Sequence, residues 1–350
     1  MMKIEVIGAG ETRQAFEYQA GDPILYSGLE QGIDLPYECA TGTCGSCKAT
    51  RVSGEFQCTW PESPARKHLK SDNEFLMCQC VAVSDLKIEV RSKLKEPKQI
   101  QSRPQWLNGV TIASTIVAPD VITIGIKLDE AIHFLPGQFM VLEFEGIRGG
   151  RAWSMTNAAK TTDLVDFVIK KKPGGLLSDF LFAKSSLLGL KVKAFGPIGK
   201  ATYTSDLQRN LICIAGGTGI AGMMSILDEY ISGGAYQKYN AEVFFGVRTA
   251  RDLFFASEFS HLVAQANGAL KVVVAFSEEA ATPEFMQLHP KLNFDQGFVH
   301  EVAWRQIEGH VKPHTAAYLA GPPPLVDGAL RILLLKARIP AAEIFYDKFG

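Results

Sequence analysis

An excess of charge of either sign is missing from this chain. Its 36 lysines and arginines stand against 37 aspartates and glutamates, a net charge of −1 over 350 residues. No basic field exists to hold nucleic acid or an anionic membrane. Long hydrophobic runs are missing too. The longest, around Leu211 to Leu227, is broken by glycines and too short to span a bilayer. The start, Met1-Met2-Lys3-Ile4-Glu5-Val6, has no apolar signal-peptide core. The expected setting is therefore a reducing cytoplasm, with no nucleic-acid and no membrane partner. Cysteine is sparse, seven residues in all, and nothing marks export, so a disulfide framework is not expected. Histidine is absent around the cysteine-rich stretch, which excludes a Rieske centre there.

What is present is four cysteines in a telling order. Cys39, Cys44 and Cys47 lie in Pro36-Tyr37-Glu38-Cys39-Ala40-Thr41-Gly42-Thr43-Cys44-Gly45-Ser46-Cys47, and Cys78 follows Phe75-Leu76-Met77. The spacing C-x4-C-x2-C with a distant fourth cysteine is the plant-type [2Fe–2S] ligand arrangement. Two irons take two thiolates each. Gly42 and Gly45 suit a tight loop that wraps such a cluster, since glycine tolerates positive φ and close backbone approach. Structural zinc would pair two short knuckles, and Cys78-Gln79-Cys80 does not make a second one. Cys58, Cys80 and Cys213 fall outside the ligand set and read as thiols that need no function.

The chain length suits two or three domains. Residues 1–92 read as a small mixed domain: a hairpin from Lys3–Ile7 and Gln14–Tyr18, a short helix over Ser27–Gly32 and a closing strand Lys87–Val90. Val6-Ile7-Gly8-Ala9-Gly10 resembles the start of a dinucleotide fingerprint, but Arg13 occupies the third glycine position, so a hairpin turn is expected. Residues 93–105 are polar and proline-containing and read as a linker. Residues 106–205 carry short β-type segments at Val110–Val117, Val121–Leu128, Phe139–Phe144, Val165–Ile169 and Lys191–Ala194, the pattern of a small antiparallel barrel. Residues 206–350 alternate apolar strands (Leu211–Ala215, Glu242–Gly246, Leu270–Ala275, Ala316–Leu319) with helices such as Ala221–Tyr230 and Leu325–Ala337. That is the signature of a parallel sheet covered on both faces.

Three further motifs carry chemistry. Ala215-Gly216-Gly217-Thr218-Gly219-Ile220-Ala221-Gly222 follows a strand and opens a helix, where backbone can approach a phosphate. The acid expected at the end of the next strand is replaced by Gly246-Val247-Arg248, so any dinucleotide binds in a variant manner. Arg151-Ala152-Trp153-Ser154 could hold a phosphorylated flat ring, or be a core Trp beside a surface Arg. Lys170-Lys171-Lys172-Pro173-Gly174-Gly175-Leu176-Leu177-Ser178 reads equally as a phosphate turn and as a solvated lysine turn capped by Ser178.

In this order, with Ala320-Gly321-Pro322-Pro323-Pro324 near the end, the motifs resemble the NADH-dependent ferredoxin–flavin reductase components of bacterial multicomponent oxygenases. The likeness is to those of carbazole-type dioxygenases and of toluene or phenol monooxygenases, and Trp60-Pro61-Glu62-Ser63-Pro64 is similar to a stretch in them. The resemblance implies a β-grasp ferredoxin, an antiparallel FAD barrel and a parallel-sheet NAD domain of the ferredoxin-NADP reductase type. It implies Arg151 on FAD phosphate, Trp153 stacked on the isoalloxazine, Ser154 at flavin N5, Val168 and Lys170 beside the flavin, and Gly174, Gly175 and Ser178 at its pyrophosphate. Gly217, Thr218 and Gly219 would take the NADH pyrophosphate. Gly321, Pro322 and Pro323 would shape the nicotinamide pocket, with Asp347 and Phe349 as C-terminal acid and flavin-stacking aromatic. Arg248 is a possible contact for a 2′-phosphate, although a local Arg251–Asp252 pair is expected and NADH is the expected donor.

The chain departs from the family pattern at Gly222, where proline is usual and a looser helix start is expected, and at Ala320, where cysteine is common. Gly350 follows Phe349 as the last residue. The implied function is electron transfer from NADH through FAD and the cluster to a Rieske ferredoxin or a terminal oxygenase in aromatic hydroxylation. The alternatives are a methane-monooxygenase or deoxysugar-pathway reductase and, from another class, a non-catalytic iron–sulfur redox sensor.

Overall fold

The first sheet grows from alternation: in Met2–Ile7, Ile4 and Val6 point inward and Lys3 and Glu5 outward. The computed structural model describes residues 2–95, 103–157 and 161–348. Its first part comprises β1 (Met2–Ile7), β2 (Arg13–Tyr18), α1 (Ile24–Glu30), β3 (Lys48–Ser53), β4 (Phe56–Cys58), β5 (Glu74–Leu76), β6 (Cys80–Ala82) and β7 (Leu86–Glu89). Five strands form one sheet in the order β2-β1-β7-β3-β5, with β1 and β7 parallel, while β4 and β6 make a separate ribbon. The glycines after β1 form the expected hairpin turn, with Gly10 at φ +70°.

The second part comprises β8 (Gln105–Ala118), β9 (Val121–His133), β10 (Phe139–Phe144), β11 (Arg151–Ser154), β12 (Thr161–Lys170), α2 (Leu176–Ala183) and β13 (Lys191–Ile198). The strand order is β11-β10-β13-β8-β9-β12. A bridge between Met155 and Phe167 joins the two ends of the sheet. Of the linker expected over 93–105, residues 96–102 lie outside the described residues. Leu94 is buried in the first core and its N–H donates to Thr12 Oγ1 at 3.1 Å, while Gln105 already begins β8.

The third part comprises β14 (Asn210–Gly216), α3 (Ile220–Ser232), β15 (Ala241–Val247), α4 (Ala256–Gln265), β16 (Leu270–Phe276), α5 (Pro283–Leu288), β17 (Asn293–Gln296), α6 (Val299–Ile307), β18 (Thr315–Gly321), α7 (Pro323–Leu335) and β19 (Ile344–Lys348). All six strands run parallel in the order β17-β16-β15-β14-β18-β19. Successive residues of each strand feed opposite cores. Cys213, Ala215, Val243 and Phe245 pack with α3 and α4, whereas Ile212, Ile214 and Phe244 pack with α6 and α7. The outer strands β17 and β19 were not evident in the sequence, because their half-exposed residues lack the apolar run of a central strand.

The three parts share cores. Phe139, Val141, Phe195 and Ile198 of the barrel belong to the first core, and Val121 and Val168 to the third. Tyr26 stacks on Phe195 at 4.4 Å between ring centroids, meets Trp106 edge-on at 5.5 Å, and donates its hydroxyl to the Ala40 carbonyl at 2.9 Å. Burial pushes its phenol pKa well above the ordinary value. Truncation to Tyr26→Ala is expected to cost about 4 kcal/mol through the lost ring. Tyr26→Phe, which only strips Ala40 of its donor, is expected to cost about 1 kcal/mol. Urea denaturation followed by intrinsic fluorescence should rank the three proteins, and a wild-type midpoint in Tyr26→Ala would refute the aromatic junction.

Candidate functional site

The cysteine loop is built by backbone conformation. Gly42 and Gly45 adopt φ +84° and +86°, and Ala40 also lies in the left-handed region at +57°. These turns aim N–H groups at sulfur. The Thr41 and Cys44 amides donate to Cys39 Sγ at 3.5 and 3.4 Å, and the Ser46 amide donates to Cys44 Sγ at 3.4 Å. A Cβ on Gly42 would meet the Gln79 side chain at 2.9 Å, and Gln79 Nε2 itself reaches Cys78 Sγ at 3.7 Å.

The four thiols fall into two pairs. Cys47 Sγ and Cys78 Sγ are 3.2 Å apart, and Cys39 and Cys44 are tied reciprocally, each amide donating to the other's Sγ at 3.5 and 3.4 Å. Among the described residues no three His, Cys, Asp or Glu side chains converge on one point suited to a single ion. Two pairs of sulfur donors fit two irons. The hydrogen bond from Cys44 holds the Cys39 thiol far below its ordinary range, to about 4, with the Thr43 hydroxyl and the Thr41 and Thr43 amides assisting against burial. Burial, then the Cys47 partner, pushes Cys78 up. The shared protons of each pair must leave when metal enters. Cys39, Cys47 and Cys78 are buried, and only Cys44 is partly exposed.

A cleft of about 740 Å³ opens at the carboxyl ends of β14, β15, β16 and β18. Strand order reverses at β14, whose neighbours are β15 on one side and β18 on the other, so this is a topological switch point. Gly216 to Gly219, Arg248, Gly321 and Pro322 line it. A Cβ on Gly219 would strike the Ala320 carbonyl oxygen at 2.5 Å, so only glycine lets the two turns approach. Pro324 rather than Pro323 lines the cleft; Pro323 starts α7, where a missing N–H costs nothing. The pair expected between Arg251 and Asp252 is replaced: Arg248 lies 3.5 Å from Asp252 and 3.9 Å from Asp120. Asp252 also closes a capping box with Thr249.

Ser277, Phe298, His300 and Glu301 are among the lining residues that escaped sequence reasoning. Phe298 is 63% exposed and lies nearly parallel to the His300 ring, 24° between planes and 6.1 Å between centroids. The available signal was Gly297-Phe298 between a strand and a helix start, a weak one.

The barrel residues gather at the β11–β12 closure. Ser154 and Val168 flank the Met155–Phe167 bridge, both buried. A Cβ on Gly222 would lie 3.2 Å from Ser154 Cβ, so glycine at the start of α3 makes room for the strand. The looser helix expected there is not observed; α3 runs unbroken with Gly222 buried. Trp153 packs edge-on against Phe144 at 6.2 Å, and Arg151 lies over the Trp60 ring at 6.0 Å, across the junction with the first part. Lys170 turns to the large cleft instead of the β11 side. Gly174 takes φ +72°. The Ser178 hydroxyl accepts from the Lys172 amide at 3.0 Å and reaches the carbonyls of Lys172 and Gly175, so it ties the turn internally.

All three parts meet beside the cysteine loop. A crevice of about 250 Å³ is lined by Tyr37 and Glu38, by Phe139 and Gly199 to Ala201, and by Ile344 to Asp347. The Gly199 amide donates to Tyr37 Oη at 3.0 Å, and Lys200 pairs with Asp34 at 3.0 Å. Burial, then the Glu38 charge, raises the Asp347 carboxyl to about 7. Phe349 lies outside the described residues.

An iron–sulfur flavoprotein oxidoreductase with a nucleotide cleft is the class that this fold and these residues define. Descriptions of a 2Fe-2S iron-sulfur cluster binding domain, an oxidoreductase FAD-binding domain and an oxidoreductase NAD-binding domain match residues 9–83, 110–203 and 213–331. The chain is 34% identical to the alkene monooxygenase system ferredoxin–NAD(+) reductase component of Xanthobacter autotrophicus, over 96% of this chain and 98% of that protein. It is 32% identical to the ferredoxin–NAD(P)(+) reductase CarAd of Metapseudomonas resinovorans, over 94% and 95%. The solved ferredoxin reductase in carbazole 1,9a-dioxygenase superposes with a TM-score of 0.81 at 30% identity, covering 99% of this chain and 98% of that one. The chain belongs to the family of ferredoxin–NAD(P) reductase components of multicomponent oxygenases. Its cofactors are a [2Fe–2S] cluster, FAD and NADH, and electrons pass from NADH through FAD and the cluster.

The Asp347 shift makes a pH prediction. Its folded pKa lies above the ordinary carboxylate value near 4, so the folded state holds the proton longer. The stabilising contribution is complete below about pH 4 and is lost as pH rises through about 7. Asp347→Asn should abolish that loss, narrowing the fall in Tm between pH 4.5 and 8 by about 3 °C. Thermal denaturation of both proteins across that range checks it, and parallel curves would refute it.

Proposed function

We propose that this chain delivers electrons to the oxygenase of a hydrocarbon-oxidising system in the cytoplasm, directly or through a Rieske ferredoxin, with aromatic hydroxylation as the reaction served. Full-length similarity to reductases named for alkene, carbazole and phenol oxidation supports it. No helix among the described residues is long and apolar enough to cross a membrane. The carrying observation is the crevice where the cysteine loop, the barrel and the last strand of the parallel sheet meet. An iron–sulfur redox sensor needs neither that junction nor a dinucleotide cleft at a switch point. The division of labour follows residues 1–92, 106–205 and 206–350, joined by 93–105.

FAD supplies the conversion of a two-electron hydride into single electrons. Arg151 and the Gly174-Gly175 turn with Ser178 would bind its phosphates, Trp153 its ring and Ser154 its N5, with Val168 beside it and Lys170 on the side of the nucleotide cleft. Gly217, Thr218 and Gly219 would bind the NADH pyrophosphate at the start of α3, and Gly321, Pro322 and Pro324 would shape the nicotinamide pocket. Asp347, whose carboxyl is raised by burial beside the cysteine loop, would serve as the C-terminal acid, and Phe349 would cover the flavin face. Cys39, Cys44, Cys47 and Cys78 hold the cluster.

Two experiments test this. Cys44→Ser should remove the cluster absorbance while NADH-driven ferricyanide reduction survives and cytochrome c reduction collapses. Loss of both activities with FAD retained would contradict the electron order. NADH should exceed NADPH in kcat/KM by about tenfold or more, about 1.4 kcal/mol. Arg248 lines the cleft where it could meet a 2′-phosphate, and its charge is offset by Asp120 and Asp252. Equal kcat/KM for the two nucleotides would overturn that preference.

A further inference from the structure

Two of the cysteines left without a role face each other. Cys58 on β4 and Cys80 on β6 are direct cross-strand partners. The ladder around them shows which kind of pair they form. The Thr59 amide donates to the Gln79 carbonyl at 2.8 Å, and the Val83 amide donates to the Glu55 carbonyl at 3.0 Å. Hydrogen-bonded pairs therefore fall at 59/79 and, two steps along, at 57/81 and 55/83. Cys58/Cys80 falls between them, at a non-hydrogen-bonded position. There the two Cα atoms approach to about 4.5 Å with side chains on one face. A disulfide needs Cα atoms about 4.4–6.8 Å apart, so the link requires no backbone movement.

The pair is also reachable. Cys58 and Cys80 line a crevice of about 340 Å³, with Phe56 and Phe75 on one wall and Arg66, Lys70, Asp72 and Glu74 at its rim. Cys58 is partly exposed and Cys80 is 1% exposed. One thiol is placed to meet a reagent and the other to resolve the product. β6 leads out of the fourth cluster ligand: Cys78 is the next-to-last residue of the loop that a 58–80 link would close.

We propose that Cys58 and Cys80 form a reversible dithiol–disulfide couple, a redox-modification site separate from the cluster ligands, whose oxidation clamps the segment holding Cys78. The oxidant is a small-molecule disulfide such as glutathione disulfide. The Cys58 sulfur, having given its proton to solvent, attacks one glutathione sulfur. The S–S bond breaks, and the first glutathione leaves as thiolate and takes up a proton. The Cys80 sulfur, deprotonated in turn, attacks Cys58 Sγ. The Cys58–Cys80 bond forms and the second glutathione departs, likewise protonated. Two protein thiols are oxidised and one glutathione disulfide is reduced to two glutathiones.

The test uses the holoprotein in glutathione redox buffers, with visible absorbance reporting the cluster and mass spectrometry of alkylated peptides reporting the thiols. The expected result is a protein two hydrogens lighter, a linked Cys58–Cys80 peptide, retained cluster absorbance and reversal by dithiothreitol. Cys80→Ala should stop at the Cys58–glutathione adduct, and Cys58→Ser should form neither adduct nor link. The linked protein should lose its cluster to a chelator about tenfold more slowly than the reduced one. Cluster bleaching before the link forms, or accumulation of the glutathione adduct in the wild type, would overturn the couple. Equal chelation rates would overturn the clamp.

Discussion

The docking of the cysteine loop onto the barrel governs everything else in this molecule. Tyr37 accepts a hydrogen bond from Gly199, Lys200 pairs with Asp34, and Tyr26 inserts its ring between the ferredoxin core and the barrel residues Phe195 and Trp106. Each contact lies within a few residues of a cluster ligand or of the crevice beside it. Phe139, Val141, Phe195 and Ile198 serve the first core as well as the barrel wall, so the two parts fold against a common apolar surface. The parallel sheet joins the same junction through β19 and through the bond from the Gly137 amide to Ser225 Oγ at 3.0 Å. Electron transfer between domains needs a fixed short gap, and here side-chain packing supplies the fixing.

The chemistry was legible where it depends on residue type at close spacing. Three cysteines at C-x4-C-x2-C with a distant fourth announce their ligand set because that spacing lets one tight loop wrap a cluster. The glycine turn after β14 was legible because a strand, three glycines and a helix follow one another directly. The central strands were visible as apolar runs because both their faces are buried. What stayed hidden depends on the third dimension. Asp252 pairs with Arg248 rather than Arg251 and closes a capping box with Thr249. Phe298 and His300 enter the cleft because β17 aligns beside β16, which alternation in Asn293–Gln296 does not reveal. Lys170 faces the nucleotide side although its strand also borders Ser154, since neighbours on a strand face opposite ways.

Cys58 and Cys80 make the same point. Separated by 21 residues, they read as isolated thiols, and their meeting is a property of register. Gly222 is the converse case. A departure from the family pattern suggested a weaker helix, yet the residue is the space that lets α3 approach Ser154.

The ligand exposures carry a further consequence. Three of the four cluster cysteines are sealed, and the accessible edge is Cys44 with its neighbours Thr43, Gly45 and Ser46. The opposite edge, Tyr37 and Glu38, faces the crevice. Among the described residues the ferredoxin and barrel cores are fused, so the module stands between the two like a bulkhead with one inlet and one window.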